Sequence, residues 1–454
     1  MTHQKRIRIF GLTFFFTLLI FFAALFRLAE ETAVRNWLRR SAVALASLTP
    51  DSPSHDLQLL KTPFQTARIV GLGEATHGTR EFFLIKHRLI RFLVEDLNYT
   101  VVALEASYAA CAVVNDYVLY GIGSADDAVA SLGLWMWQTE EMKALIEWMR
   151  LHNMHAAAHQ QVRFVGFDMQ THESSYPKLF EFFKRVAPHR LPALIAWLQE
   201  FRTIEIDFRT TRTTSHHTLL EHLTHAISND LAYLHLHYDE LKQTISNEAY
   251  LDAVMRLQTM QQFLQLVRAM LTAQDNAMSA GVAIRDSSMA VNFQTIAEAL
   301  YPTSKIVCWA HNGHIANGDI NDIPSMGHRL KFLYGEKYYA VGFDFKQGEF
   351  QARNKANHNH IEPCALTSPD YSTSLPFSTS LMPFENFFVD FRHSQGDFFV
   401  QHWLKQPHFI HQIGAIFSHN EPIDTWLKPV TFGTTFDGFV YVSYTSPSRL
   451  LAAR

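Results

Sequence analysis

Short apolar runs alternate with longer helical patterns along the chain after residue 63. The apolar runs are Arg68–Leu72, Val101–Leu104, Val162–Phe167, Ile306–Ala310 and Tyr338–Phe345. Between the first two runs, apolar residues recur at helical spacing from Phe82 to Leu93, which predicts an amphipathic helix. Strands interleaved with helices favour an α/β domain with a largely parallel central sheet flanked by helices.

Residues 175–290 have a different pattern from the rest of the chain. They carry long helical patterns, for example over Leu219–Leu241 and Tyr250–Thr272, and no convincing strand. Two further strand-like runs follow near Phe387–Phe391 and Phe439–Tyr444. We therefore predict one α/β domain over residues 64–454, with an all-helical subdomain inserted at about 175–290.

The N-terminus has a basic tail over residues 1–8 and then an uncharged apolar run of 18 residues from Ile9 to Phe26. Such a run is just long enough to cross a bilayer as a helix. It ends in Phe26-Arg27, without the small residues of a cleavage site. We predict a transmembrane anchor or uncleaved signal over 9–28, and export after cleavage as the alternative. Basic residues flank both ends of the run, so the positive-inside rule assigns no orientation.

The segment 29–63 is predicted to be a linker, because its stretch from Pro50 to Pro63 is aperiodic and contains Pro, Ser and Asp. The composition of the whole chain is that of an ordinary globular protein, with 48% hydrophobic and 18% charged residues. The formal net charge of −4 gives nucleic-acid binding no electrostatic support. Three widely spaced cysteines form neither a disulfide framework nor a CxxC metal pair.

Ionisable side chains follow the ends of four predicted strands. These residues are Glu74, His77, Glu105, Asp168, His311 and His314. In an open parallel sheet the carboxyl ends of the strands share one edge, where ligands bind. A single strand-end carboxylate is more often a helix cap, but four such strands together predict a polar site.

Several common chemistries are excluded by pattern. The chain has no G-x-S-x-G elbow, no H-E-x-x-H helix and no P-loop. Gly71-Leu72-Gly73 begins like a dinucleotide fingerprint, but Glu74 would repel a pyrophosphate there. Two chemistries then remain open, namely hydrolysis assisted by a divalent metal and metal-free hydrolysis with a histidine as general base.

Other side chains have two possible interpretations. Lys86 and Arg285 are candidate cations for an oxyanion, or members of a solvated helix face with ion pairs. Trp135 and Trp137 can line an apolar binding surface, or pack against the first turn of the helix that follows.

A series of motifs resembles the signature of the erythromycin esterase family. The motifs begin at Gly71-Leu-Gly-Glu-Ala-Thr-His-Gly-Thr-Arg-Glu-Phe-Phe, Ala103-Leu-Glu-Ala, Gly133-Leu-Trp-Met-Trp-Gln, Gly166-Phe-Asp-Met-Gln, Arg285-Asp-Ser-Ser-Met-Ala, Trp309-Ala-His-Asn-Gly-His, Ser325-Met-Gly and Tyr339-Ala-Val-Gly-Phe-Asp-Phe. They occur in order over roughly residues 65–445. The family includes macrolide antibiotic-resistance enzymes and many members without an established substrate.

The resemblance implies an α/β core with a helical insertion, and hydrolysis of a small-molecule ester or lactone by an activated water, without a cofactor. Carried over to this chain, it implies that His77 is the general base and that Glu74 lies beside it. Glu105, Arg285 and His311 match further catalytic positions, with His314 as the alternative to His311 for the second catalytic histidine. Lys86 falls where some resistance esterases have an arginine. The residues expected to contact substrate are Lys86, Trp135, Trp137, Asp168, Met169 and His314. The alternatives are metal-dependent hydrolysis by the same residues and a membrane-anchored binding protein without turnover.

Overall fold

The computed structural model describes residues 3–204, 206–207, 212–213, 217–273, 276–319, 323–366, 384–393 and 397–452. The strands are β1 (Val43–Ala44), β2 (Ile69–Leu72), β3 (Tyr99–Ser107), β4 (Arg163–Asp168), β5 (Ile206–Asp207), β6 (Arg212–Thr213), β7 (Lys305–Trp309), β8 (Tyr338–Asn354), β9 (His360–Leu366), β10 (Asn386–Asp390), β11 (His408–His411), β12 (Ile416–Phe417), β13 (Leu427–Val430) and β14 (Gly438–Thr445). The five predicted core strands are confirmed as β2, β3, β4, β7 and β8.

The α-helices between these strands are of very different lengths. They are α1 (His3–Ser41), α2 (Lys61–Gln65), α3 (Arg80–Leu97), α4 (Tyr108–Tyr120), α5 (Ala125–Ser131), α6 (Glu140–His155), α7 (Ser175–Val186), α8 (Leu191–Phe201), α9 (His217–Leu236), α10 (Tyr238–Leu241), α11 (Asn247–Thr272), α12 (Ala277–Thr295), α13 (Asn312–Ile315), α14 (Met326–Tyr334), α15 (Phe398–Leu404) and α16 (Phe432–Thr435). A π-turn, Ile296–Leu300, extends α12.

The main sheet has the strand order β1-β10-β14-β8-β2-β7-β3-β4, with β9 and β12 also paired to β8. The six strands from β14 to β4 are mutually parallel, while β10 is antiparallel to β14 and β1 is antiparallel to β10. The carboxyl ends of the six parallel strands therefore meet at one edge, called here the carboxyl edge. The predicted α/β fold with a largely parallel sheet is confirmed.

Alternate residues of each central strand pack on opposite faces of the sheet. In β3, Val102 and Leu104 join the apolar core that contains helices α3 and α6. Val101 and Ala103 join the core on the other face, beneath α12 and α14. Both faces are covered, which is why these strands are continuous apolar runs without polar alternation.

Helices α7 to α12 occupy the region that the sequence shows as purely helical, and they share an apolar core of their own. Asp230 of α9 ties this core together by accepting hydrogen bonds from Arg190 and the Trp197 indole. The sequence pattern did not predict the two-residue strands β5 and β6, which pair antiparallel within this region. Strands so short have no periodicity to detect.

Helix α1 combines two environments in one continuous element. Its part from Leu12 is apolar and long enough to cross a membrane, a property that signal sequences share. Its last two turns bury one side in the domain, with Trp37 and Leu38 in the core, while Arg39 and Arg40 are exposed. The segment 29–63, interpreted from sequence as a linker, thus packs into the domain, and β1 pairs with β10 at the sheet margin. Only its stretch from Pro50 to Pro63 is aperiodic, whereas Val34, Trp37 and Leu38 stand at helical spacing in α1.

Candidate active site

The turn from β2 to α3 lies at the carboxyl edge and carries Glu74 and His77. Gly73 permits the turn, since a Cβ there would stand 2.2 Å from the Asn312 side-chain oxygen. The Asn312 amide in turn bonds the backbone of Phe343 in β8 through both its oxygen and its nitrogen. A glycine at 73 therefore lets α13, which follows His311, sit directly against the turn.

Glu74 and His77 form a hydrogen-bonded pair. Oε1 of Glu74 lies 2.6 Å from Nδ1 of His77. Oε2 accepts from Nζ of Lys86 at 2.5 Å and from the Trp309 indole at 2.9 Å. Burial raises the pKa of Glu74, but Lys86 and His77 outweigh it and lower that pKa to about 2. Glu74 is therefore an ionised carboxylate whose two oxygens are both engaged.

Lys86 lies behind Glu74 and is completely buried. Its ammonium stands 4.5 Å from the centre of the Trp309 ring and 5.2 Å from that of Phe343. Burial lowers its pKa to about 8 although the Glu74 carboxylate opposes the shift. In this position Lys86 holds the carboxylate, and it is not placed to touch a ligand.

Nε2 of His77 is the open position of this pair. Among the residues that the structure describes, no group is hydrogen-bonded to it. The His77 side chain is 10% exposed, whereas the Glu74 side chain is 0% exposed. With Nδ1 donating to an ionised carboxylate, Nε2 presents a lone pair that can accept a proton.

Gly414 borders His77 Nε2, and sequence reasoning missed it. A Cβ at Gly414 would stand 3.9 Å from Nε2 of His77 and 4.0 Å from Nε2 of His311. Its carbonyl accepts from the His77 amide at 3.1 Å, and its amide donates to Ala75 at 3.2 Å. No local motif marks this position, because its partners lie more than three hundred residues earlier.

His311 lies beside His77, with 5.2 Å between ring centroids. Burial, with the neighbouring His77, lowers its pKa to about 3, so its ring is neutral. Nδ1 accepts from the Gly313 amide at 3.2 Å, which places the proton on Nε2. That Nε2–H faces the Ala75 carbonyl at 3.3 Å, a long hydrogen bond. The His311 amide donates to Oε2 of Glu105 at 2.8 Å, so Glu105 fixes the turn that carries this ring.

Arg285 reaches the same edge from α12 and is surrounded by partners. Its Nη2 donates to Glu105 at 2.7 Å and to Asp168 at 2.7 Å. Nε also faces Asp168, and Nη1 lies 2.9 Å from Nε2 of His314. Nε and Nη2 thus donate to Glu105 and Asp168, so the guanidinium joins β3 to β4 and lies against His314 of α13.

His314 is held between carboxylates. Its Nδ1 lies 2.9 Å from Asp286, a site residue that sequence reasoning missed although it belongs to the Arg285-Asp-Ser-Ser motif. Burial lowers the pKa of His314, but Asp286 and Glu105 outweigh it and raise that pKa to about 10. Nη1 of Arg285 can donate to Nε2 of His314 only when the His314 ring is neutral. Charge balance favours the protonated ring, with Glu105 Oε1 at 3.3 Å as its partner.

The remaining residues that were expected to contact substrate differ in their burial and in their neighbours. Trp137 is buried against Phe83 and Trp309, with its ring 6.3 Å from His77, so it forms a wall of the site. Trp135 is half-buried in the same 3₁₀ turn. Asp168 is fully buried on Arg285, and Met169 belongs to the core of helices α7–α12. The structure therefore gathers the catalytic candidates closely and leaves Trp135 and His314 as the more accessible of the expected contact residues.

The described residues contain no group of three His, Cys, Asp or Glu side chains arranged to hold a metal ion. The sequence suggested that Glu74, His77, Glu105 and His311 can ligate one. In the structure each carboxylate has hydrogen-bond partners for both oxygens, as the distances above show. Glu74 is hydrogen-bonded to the His77 ring, and Glu105 accepts from the His311 amide.

The sequence model of a family described as erythromycin esterase matches residues 94–445. A putative hydrolase, YbfO of Bacillus subtilis, is 25% identical over 93% of this chain and 93% of its own length. Erythromycin esterase type II of Escherichia coli is 24% identical over 70% of this chain and 78% of its own length.

Solved structures show the same fold. A Bacillus cereus protein of 24% identity superposes with a TM-score of 0.82, covering 93% of this chain and 99% of that one. A mutant of the erythromycin esterase EreC in its open conformation, 17% identical, gives 0.69 over 90% of this chain and 99% of the other.

Proposed function

The chain belongs to the erythromycin esterase family, and on that premise we propose that it is a carboxylic ester hydrolase in which His77 activates water. Family membership and the relatives named hydrolase and esterase make hydrolysis the function class. The observation that carries the finer proposal is the Glu74–His77 pair, with Nδ1 on a buried carboxylate and Nε2 open.

The proposed reaction begins with a water bound at Nε2 of His77. His77 takes a proton from that water as its oxygen attacks the ester carbonyl. Glu74 keeps the imidazole in the correct tautomer and stabilises the imidazolium that forms. The imidazolium then returns its proton to the departing alcohol oxygen. The proposed nucleophile is water, a choice supported by the absence of a Ser, Thr or Cys side chain hydrogen-bonded to His77 in the described part of the chain.

His311 is the proposed donor to the oxyanion that develops on the carbonyl oxygen. Its ring is neutral and carries its proton on Nε2, beside His77. The hydrogen bond from that Nε2–H to the Ala75 carbonyl is long, so the ring loses only a weak hydrogen bond when it donates to an oxyanion instead. Arg285 serves the site by holding Glu105 and Asp168 in place.

The substrate is a small ester or lactone, and a macrolide lactone is one candidate because a relative is named erythromycin esterase.

The test is hydrolysis of an aryl-ester panel and erythromycin by the full chain after exhaustive chelation, with His77→Asn as control. Retained wild-type turnover and an inactive variant support the proposal. Loss on chelation with recovery on adding a divalent metal would establish metal-dependent hydrolysis. Binding without turnover, unchanged in the variant, would identify a binding protein.

A further inference from the structure

The outer surface of helix α1 is apolar over a long stretch. Its span from Leu12 has a mean hydropathy of 2.2 in the most apolar window, and none of that window is buried. Exposed Phe and Leu side chains continue to Leu28, which is 61% exposed. As an anchor, this stretch places its side chains in contact with lipid chains.

The end of the apolar stretch locates the proposed membrane boundary. Arg27, Glu30 and Glu31 are the first charged side chains after it. Charged groups are costly in the hydrocarbon layer, so the layer ends within about one helical turn of Arg27. Phe26 lies at this level, where aromatic side chains are favoured.

Helix α15 meets α1 at the same level. The Phe26 ring lies 6.3 Å from the ring of Phe398 and 5.2 Å from that of Phe399, both in the first turn of α15. One turn further on, His402 Nδ1 lies 2.5 Å from Glu30. Phe398 is nevertheless 68% exposed, so an apolar side chain remains uncovered beside the end of the anchor.

We propose that the first turn of α15 is a second membrane contact, with Phe398 inserted among the lipids of the bilayer interface. The inference rests on the proposal that α1 is an anchor, and it is independent of the reaction at His77. The exposed apolar surface of α1 reaches Phe398 through the ring contact with Phe26, and a lipid surface is the occupant that fits both.

The core end of α1 keeps this arrangement rigid. Val34, Trp37 and Leu38 are buried in the domain, and Trp37 packs against Phe391 and Trp403. Because the helix is continuous from the lipid-facing stretch to these residues, the domain leaves the membrane in a fixed direction. α15 is therefore held at the interface whenever α1 spans the bilayer.

The test uses a bimane probe on a single new cysteine in the full chain, reconstituted into phosphatidylcholine vesicles that contain brominated lipid. The three native cysteines are buried, so new exposed cysteines are labelled selectively. The positions are Ile20→Cys in the apolar stretch, Phe398→Cys, and Leu236→Cys, which is 82% exposed at the end of α9.

We expect quenching at Ile20 by bromines deep in the bilayer, quenching at Phe398 by bromines near the headgroups, and none at Leu236. Quenching at Ile20 with Phe398 as unquenched as Leu236 would overturn the second contact and leave the anchor. Absence of quenching at Ile20 would overturn both. Ester hydrolysis by the same vesicles reports on the proposed reaction separately.

Discussion

Two of the histidine–carboxylate pairs among the described residues at the carboxyl edge, Glu74–His77 and Asp286–His314, differ in the surroundings of Nε2. His77 bonds Glu74 through Nδ1 at 2.6 Å, and His314 bonds Asp286 through Nδ1 at 2.9 Å. Nε2 of His314 faces Arg285 and Glu105. Nε2 of His77 has no hydrogen-bond partner among the described residues.

This difference separates a chemical role from a structural one. A general base needs a nitrogen that substrate or water can reach, in addition to a carboxylate that orients the ring. Only His77 of these two offers that nitrogen. His314 instead carries positive charge among Glu105, Asp168 and Asp286, where it balances the excess of carboxylates over Arg285.

The largest contrast is expected between His77→Asn and His314→Asn. Loss of the base lowers kcat by up to about 10⁴-fold while the fold is retained, because His77 is bonded at one nitrogen only. Loss of His314 leaves Asp286 without its cationic partner and lowers the free energy of unfolding by roughly 3–5 kcal/mol. Ester turnover and urea unfolding of both variants check this. Equal losses of kcat at matched stability would remove the distinction between the pairs.

The second prediction concerns Glu74→Gln. The neutral amide no longer fixes the His77 tautomer, so kcat falls by up to about 10⁴-fold, the loss seen when a triad carboxylate is neutralised. It also strands the buried Lys86 ammonium, so stability falls with activity. Adding Lys86→Met removes that charge and restores stability without restoring kcat. Recovery of turnover in the double variant would show that Glu74 acts through packing alone.

Much of the fold follows from sequence periodicity. The five apolar core runs predicted strands β2, β3, β4, β7 and β8 because parallel strands buried on both faces are unbroken apolar segments. The segment around β1 was missed, since two residues of strand and short helical turns have no period. Its packing depends on β10, which lies more than three hundred residues later.

The residues of the site were predictable from the sequence, but most of the hydrogen bonds between them were not. Strand-end chemistry selected Glu74, His77, Glu105, Asp168 and His311, which the structure brings to one edge. The hydrogen-bond partners of each of these side chains depend on the distances between neighbouring strands. Sequence spacing therefore did not show that Lys86 lies behind Glu74 or that Arg285 is held by Glu105 and Asp168.

The third prediction is that Gly414→Ala lowers kcat by roughly 10²-fold, because its methyl group stands 3.9 Å from His77 Nε2, in the space proposed for the water. The φ of 66° also strains alanine. Gly123→Ala is the matched control, since Gly123 has a φ of 80° and its Cβ would meet atoms no nearer than 3.9 Å in an exposed turn. Similar thermal shifts with a selective loss of kcat at 414 support the prediction, and parallel losses of kcat contradict it.

The last prediction concerns opposite pH dependences of stability at His311 and His314, which lie on one turn. The pKa of His311 falls from 6.5 to about 3 on folding, because burial disfavours its charged form. As pH drops below 6.5 the unfolded chain binds a proton that the native ring refuses, so the native state loses stability down to about pH 3.

His314 has the opposite sign. Burial opposes its charge, but Asp286 and Glu105 raise its pKa from 6.5 to about 10. Its stabilisation is complete below pH 6.5 and is lost as pH rises through about 10, because the unfolded chain releases the proton first. Each group contributes a slope of at most about 1.4 kcal/mol per pH unit. In urea titrations, His311→Asn should flatten the acid side of the stability profile and His314→Asn the alkaline side. Flattening on the same side by both variants would mean that the two rings share one charge state, and the contrast between an uncharged and a charged histidine would fail.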